Sequence, residues 1–299
     1  MTTPNSQVRT GVTNAVSSYV MWGFAPIYFK LLHDINASEI LIHRVIWSCL
    51  LLAIIIVLAN KWRFVQVIAK QPKLLFRLTI TATILAVNWF LFIWAINNDH
   101  LLDASLGYFI NPLFSVALGV IFLGERLRKW QKFAVFLAML GVLIQLIILG
   151  SLPLISLALA GTFGTYGLLR KKMAVDSFVG LWFESLLMVP FAVLYWLFFT
   201  ESASSNMFAN TLHLNVILIL AGVVTTAPLL CFTAAAKRLT LSALGFFQYI
   251  GPSIMFVLAT FLYHEPLLDA KLATFALIWL ALAVFSIDSW RARKALKST

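Results

Sequence analysis

Arg44 and Glu184 are ionisable residues that lie several positions inside long apolar runs of this 299-residue sequence. A charge in hydrocarbon is costly, so such residues mark functional sites by default. Arg44, in His43-Arg44-Val45-Ile46-Trp47-Ser48, could attract an anionic group such as a carboxylate. Glu184 could bind an amine or carry a coupling proton. The structural alternative for each is snorkelling to the nearer interface or pairing with a neighbouring helix. Asn88, Trp89, Tyr108, Asn111, Gln248 and Tyr249 also fall inside apolar runs. They either line a cavity or make ordinary helix–helix hydrogen bonds. Trp22, Trp89, Trp94 and Trp182 could wall a planar substrate, or sit in interfacial belts. Pro112 and Pro252 each remove a backbone hydrogen bond and can kink a helix, freeing carbonyls beside a cavity.

The elements that position these residues follow from composition. Hydrophobic residues make up 62% of the chain and charged residues 11%. A soluble domain holds roughly 45–50% apolar and about 25% charged residues, so this is an integral membrane protein surrounded by lipid. Crossing the hydrocarbon takes about 20 apolar residues. Ten runs qualify: 12–32, 38–59, 75–97, 103–123, 132–149, 152–170, 177–199, 213–236, 241–262 and 268–289. They are continuous rather than alternating, which predicts helices and not barrel strands. With the N-terminus inside, all but Lys30, Arg44 and Lys271 of the 22 Lys and Arg residues fall on the inner side. That asymmetry predicts cytoplasmic termini.

The chain also repeats itself. Ala104-Ser105-Leu106-Gly107-Tyr108-Phe109 returns as Ser242-Ala243-Leu244-Gly245-Phe246-Phe247, and the pair Pro112…Glu125 returns as Pro252…Glu265 at the same spacing. A period of about 140 residues divides the chain into halves, 1–150 and 151–299, of five spans each. An odd number of spans turns the second half over, giving an all-α membrane protein of ten transmembrane helices in an inverted 5+5 repeat. Inverted repeats are the build of secondary transporters, in which two mirrored conformations expose one central site alternately. Arg44 and Glu184 occupy equivalent places in the two halves. Gly161, Gly164 and Gly167 form a smooth face for close helix approach. Glu125 and Glu265 close their helices, where a helix-end or salt-bridge role outweighs a chemical one.

With Pro112 and Leu123-Gly124-Glu125-Arg126-Leu127, the first half resembles the EamA domain of the drug/metabolite transporter superfamily. The strings Asn88–Leu113 and Leu241–Ser253, together with His43–Ser48, are closer still to the RarD branch. The resemblance spans nearly the whole chain. It implies a bacterial inner-membrane transporter in which spans 1–4 and 6–9 surround a cavity and spans 5 and 10 support it from the side. It also implies small metabolites or drugs as substrates, with export the more usual direction. One departure is His264-Glu265-Pro266 where the first half has Gly124-Glu125-Arg126.

Other classes fit less well. Asp99, His100 and Asp103 only superficially resemble lipid-enzyme motifs, and the repeat places Lys237…Leu241 opposite them. No GxxxxGK[ST] loop is present, so this chain does not itself use ATP, and no cofactor or metal site is expected. Cys49 and Cys231 lie apart in apolar runs and read as small core residues. The net charge of +11 is spread over short loops, which argues against nucleic acid as a partner. The expected partners are a small-molecule substrate and the bilayer, for a monomer or a homodimer. The readings left beside a transporter are an exchanger of anionic metabolites centred on Arg44, a membrane-embedded lipid or prenyl enzyme, and a non-transporting membrane partner.

Overall fold

The structure, a computed structural model, describes residues 4–97, 101–150, 154–199, 206–264 and 269–295, and all regular structure among them is helical. The helices are α1 (Pro4–Lys30), α2 (Ala37–Leu58), α3 (Trp62–Ala69), α4 (Pro72–Asn97), α5 (Leu101–Leu123) and α6 (Lys129–Leu149). They continue as α7 (Leu154–Lys172), α8 (Ser177–Phe199), α9 (Leu212–Ala236), α10 (Leu241–Gln248), α11 (Ile250–Val257) and α12 (Asp269–Ala295). Among the described residues, eight segments are long and apolar enough to cross a membrane: α2, α4, α5, α6, α8, α9, α12, and the α10–α11 segment with its terminal π-helical turn. α1 and α7, at the first and sixth expected spans, are long enough to count as helices but are less apolar. Both carry Gly, Ser and Thr where the others carry Leu, Ile and Phe.

α1 packs on α9 and α11; α7 packs on α4 and α5. α2 packs on α8 and α9, α4 on α8, α5 on α10, and α6 and α12 on each other. Small residues let these helices approach. A Cβ on Gly164 would lie 2.8 Å from Phe114 Cδ1 of α5, and one on Gly222 would lie 2.6 Å from the Trp47 carbonyl carbon of α2. Without a hydrophobic drive in lipid, such close van der Waals contact is what associates helices.

The ninth expected span is broken at Tyr249 and resumes at Ile250. Pro252 lacks the N–H that would bond the Gln248 carbonyl, which accounts for the break. Pro112 has a different outcome, since α5 runs through it as one helix. α3 is an addition to the expected plan: Val65 and Ile68 are buried while Trp62, Phe64 and Val67 are exposed. That pattern, flanked by Lys61 and Lys70, suits a helix lying in the membrane interface.

Glu125 ties the end of α5 to the start of α10. Gly124 turns out of α5 at φ +63°, and the Glu125 N–H then bonds the Gly119 carbonyl at 3.1 Å. The chain doubles back so that the Glu125 carboxylate accepts from the N–H groups of Leu241 (2.6 Å) and Ser242 (2.8 Å) and from Ser242 Oγ (2.7 Å). It thereby caps α10 and meets the positive end of that helix dipole. A Cβ on Gly119 would fall 2.6 Å from Glu125 Oε2, so a side chain there would push the carboxylate from its place. His264 takes the equivalent left-handed turn at φ +52°. Glu265 lies outside the described residues. Glu125→Ala should lower stability by about 1–2 kcal/mol, read from the thermal unfolding midpoint in detergent. An unchanged midpoint would show that the cap contributes nothing.

Candidate functional site

A cavity of about 290 Å³ lies between the two halves of the chain. Its walls come from the C-terminal halves of α1 and α4, the N-terminal halves of α2, α5 and α7, the middle of α9, and α10–α11. The aromatic walls include Trp22, Phe29, Trp89, Phe92 and Phe163, and the polar groups include Asn88, Asn111, Gln248 and Thr225. Among the described residues Arg44 is the one charged residue lining it.

Arg44 is held from two sides. Its Nε donates to Thr225 Oγ1 at 2.8 Å, tying α2 to α9. Its guanidinium carbon lies 4.8 Å from the Trp89 ring centroid and 5.7 Å from that of Phe29. Both contacts are within cation–π range, and both orient the fork. Asn88 Nδ2 donates to Thr162 Oγ1 (2.8 Å) and the Leu159 carbonyl (3.0 Å), which fixes α4 against α7. Asn111 Oδ1 and Tyr19 Oη are buried without a hydrogen-bond partner among the described residues.

The structure thus brings Arg44, Asn88, Trp89, Tyr108, Asn111 and Gln248 to one cavity, with Pro252 in its wall. It does not bring Tyr249 there; that side chain is 1% exposed and donates to the Phe109 carbonyl at 3.2 Å. Neither Trp94 nor Trp182 is among the lining residues, whereas Trp22 and Trp89 are.

Glu184 lies elsewhere, fully buried. It accepts from Thr81 Oγ1 at 2.5 Å and Tyr166 Oη at 3.1 Å, and pairs with Arg170 Nη1 at 3.5 Å. Arg170 is 1% exposed, and its guanidinium lies against Gly180, where any side chain would collide with it. None of the three Arg170 guanidinium nitrogens makes a hydrogen bond among the described residues. Between this cluster and the cavity stands an aromatic floor. Trp22 and Phe163 lie 5.7 Å apart, Phe163 and Phe232 5.1 Å, and Tyr166 stacks on Phe232 at 6.1 Å.

Beyond Glu184 the basic loops converge. Lys61 Nζ pairs with Asp176 Oδ2 at 2.6 Å. Lys237 donates to the Val175 carbonyl, and Lys171 to the carbonyls of Ala236 and Leu239. Burial, with Arg170 adding to it, lowers Lys237 to about 8. Asp176 also caps α8, accepting from the N–H groups of Phe178 and Val179. Burial raises the Asp176 carboxyl, but the Lys61 hydrogen bond and charge and those two N–H groups outweigh it, leaving it below its ordinary 3.8. A lowered carboxyl stabilises the fold above its unfolded value, and that stabilisation is lost as pH falls through the folded value. Asp176→Asn should therefore lower the unfolding midpoint at neutral pH, and the gap to wild type should close as pH falls below 3.8. A gap that is constant with pH would assign the loss to shape rather than charge.

Nothing in the sequence marks Arg170, Thr225 or Phe163 as a site residue. Arg170 reads there as the start of the loop run Arg170-Lys171-Lys172. Among the described residues no group of three or more His, Cys, Asp or Glu side chains could hold a metal ion.

Membrane-length helices packed around an internal cavity of aromatic and polar side chains are the build of a membrane transporter. Residues 9–147 match the EamA-like transporter family. An uncharacterized transporter of Vibrio cholerae is 53% identical over 297 residues, 99% of this chain and 98% of its own length. The protein RarD of Escherichia coli is 50% identical over 283 residues, covering 95% of this chain and 96% of its own. A solved crystal structure aligns with a TM-score of 0.71 at 19% identity over 93% of this chain and 96% of its own, which shows a shared fold. The chain belongs to the EamA-like transporter family, as a RarD-like member.

Proposed function

We propose that this chain is a secondary transporter moving small organic molecules across the bacterial cytoplasmic membrane by alternating access, with export as its direction. The observation that carries this reading is the cavity between the halves, sealed at one end by the aromatic floor and the Arg170–Glu184 cluster. The substrate sits among Arg44, Asn88, Trp89, Tyr108, Asn111 and Gln248. Ten spans, with α1 and α7 opening the halves 1–150 and 151–299, make the inverted 5+5 repeat. Helix packing supports it. Exchanging α1 with α7, α2 with α8, α4 with α9, α5 with α10–α11 and α6 with α12 turns the major contacts into one another. The bond of Arg44 to Thr225 between α2 and α9 has its counterpart in Glu184 and Thr81 between α8 and α4. The two charges thus occupy mirrored stations, one at the cavity and one sealed.

The one clear asymmetry supports alternation. α7 reaches α9, whereas their counterparts α1 and α4 barely touch, and the cavity lies between them. In the opposite state α1 closes on α4, α7 leaves α9, and the Glu184 side opens. The basic loops gathered beyond Glu184 support a cytoplasmic position for that side and for both termini. Glu184 is the coupling group, facing Arg170 and Tyr166 from α7, Thr81 from α4 and the charge of Lys237. Protonation releases Arg170 and favours opening. The chain works as a monomer or homodimer without a cofactor, and transport rather than catalysis is its activity.

The test is purified protein in liposomes holding a pH-sensitive dye, with metabolites and drugs added outside. Substrate-triggered proton flux, absent from empty liposomes, is expected, and Glu184→Gln should abolish its pH dependence while substrate still binds. Exchange of labelled against unlabelled compound without proton flux would favour the exchanger. Absence of both flux and exchange would contradict transport.

A further inference from the structure

We infer that the cavity is built for an amphipathic monocarboxylate: one carboxylate on a flat apolar body that also carries a neutral hydrogen-bond donor. The inference rests on the cavity being the substrate site and specifies what that site accepts.

Arg44 sets the charge. Thr225 takes its Nε, and Trp89 and Phe29 hold the guanidinium plane. Among the described residues no carboxylate pairs with it, and its terminal nitrogens make no hydrogen bond to protein. Two parallel N–H groups in a rigid fork match the two oxygens of a carboxylate. Among the described residues no acidic side chain lines the cavity, so there a cationic ligand would meet only the like charge of Arg44. A phosphate monoester brings close to two negative charges, and this cavity offers one cation. A monoanion balances the site.

The walls set the body. Trp22, Phe92 and Phe163 join Trp89 and Phe29 to give aromatic faces around a space of about 290 Å³. Pockets of that kind bury most of a small ligand's surface against apolar groups and orient it with few polar ones. The donor follows from Asn111, which lines the cavity, is 7% exposed and leaves Oδ1 unpaired. A buried acceptor without a partner is costly, and a ligand O–H or N–H relieves that cost. An ammonium group would find no carboxylate to neutralise it, so the donor is a neutral hydroxyl or amide.

The test is equilibrium binding of radiolabelled phenyllactate to the purified full chain in detergent. Phenyllactamide, phenylalanine and phenyl phosphate serve as competitors. Phenyllactate should bind, and phenyllactamide, which keeps ring and hydroxyl but loses the charge, should compete about 10–100-fold more weakly, the loss expected for a charge-assisted hydrogen bond. Phenylalanine and phenyl phosphate should be weaker as well. Arg44→Gln should remove the preference for acid over amide, with Arg44→Lys in between. No phenyllactate binding, or equal competition by phenyllactamide, phenylalanine or phenyl phosphate, would overturn the inference. The comparison of ligands on the unmodified chain decides the matter even where an Arg44 variant fails to fold. Binding is read without transport, so flux of some other compound with no carboxylate binding would sink this inference alone. Carboxylate binding without flux would instead count against the transport reading.

Discussion

Glu184→Ala is expected to destabilise the folded chain by about 3–5 kcal/mol, because it strands the Arg170 guanidinium in a dry interior. Arg170 is 1% exposed with no hydrogen bond from its guanidinium nitrogens, so Glu184 is its remaining compensation. Thr81 and Tyr166 would lose their acceptor as well. Replacing both charges at once, Arg170→Met with Glu184→Leu, should recover most of that loss, since apolar groups of similar volume avoid the desolvation cost. Thermal unfolding of the single and double variants in detergent makes the comparison. If the pair is the gate, the recovered double variant should still fail to transport. Full transport by a stable double variant would reduce the pair to packing.

Gly222→Val should have an effect of similar size. A Cβ at residue 222 would meet the Trp47 carbonyl carbon at 2.6 Å and its oxygen at 2.8 Å. That obstacle is backbone, so it cannot rotate away, and α2 and α9 must move apart. Overpacking typically costs about 1–3 kcal/mol and sometimes more. Trp47 and Gly222 lie one helical turn from Arg44 and Thr225, so the same displacement should pull apart the 2.8 Å bond that orients the guanidinium. The expected result is a lowered unfolding midpoint together with weaker carboxylate binding, and Gly222→Ala should fall between. Normal binding by a folded Gly222→Val protein would mean that the helix spacing does not position Arg44.

Much of the cavity is legible in the sequence because depth in an apolar run is a one-dimensional property. A polar residue there must face a partner or a cavity, which is how Arg44, Asn88, Asn111 and Gln248 stand out. The facing of adjacent residues is harder to read. Gln248 lines the cavity and Tyr249 does not, because one step along a helix turns a side chain by about 100°. Arg170 was hidden for a related reason. In Arg170-Lys171-Lys172 all three residues look like loop charges, yet α7 continues through Lys172 and turns Arg170 inward against Gly180. The low hydropathy of α1 and α7 reflects their packing mainly against helices of the opposite half, where small and polar residues replace lipid-facing Leu and Phe. α3 reads as a loop because eight residues cannot span a membrane, and its Val65–Ile68 pairing emerges only once α4 is beside it.

Alternating access is tested most directly by single cysteines in sealed vesicles. In a chain with Cys49 and Cys231 replaced by alanine, Met255→Cys reports the cavity and Thr81→Cys the sealed Glu184 cluster. A membrane-impermeant thiol reagent is applied to each face in turn. Met255→Cys should label from the face nearer Arg44 and Thr81→Cys from the opposite face, with any ligand that slows one reaction speeding the other. Labelling of both from the same face, or rates that rise and fall together, would contradict the account.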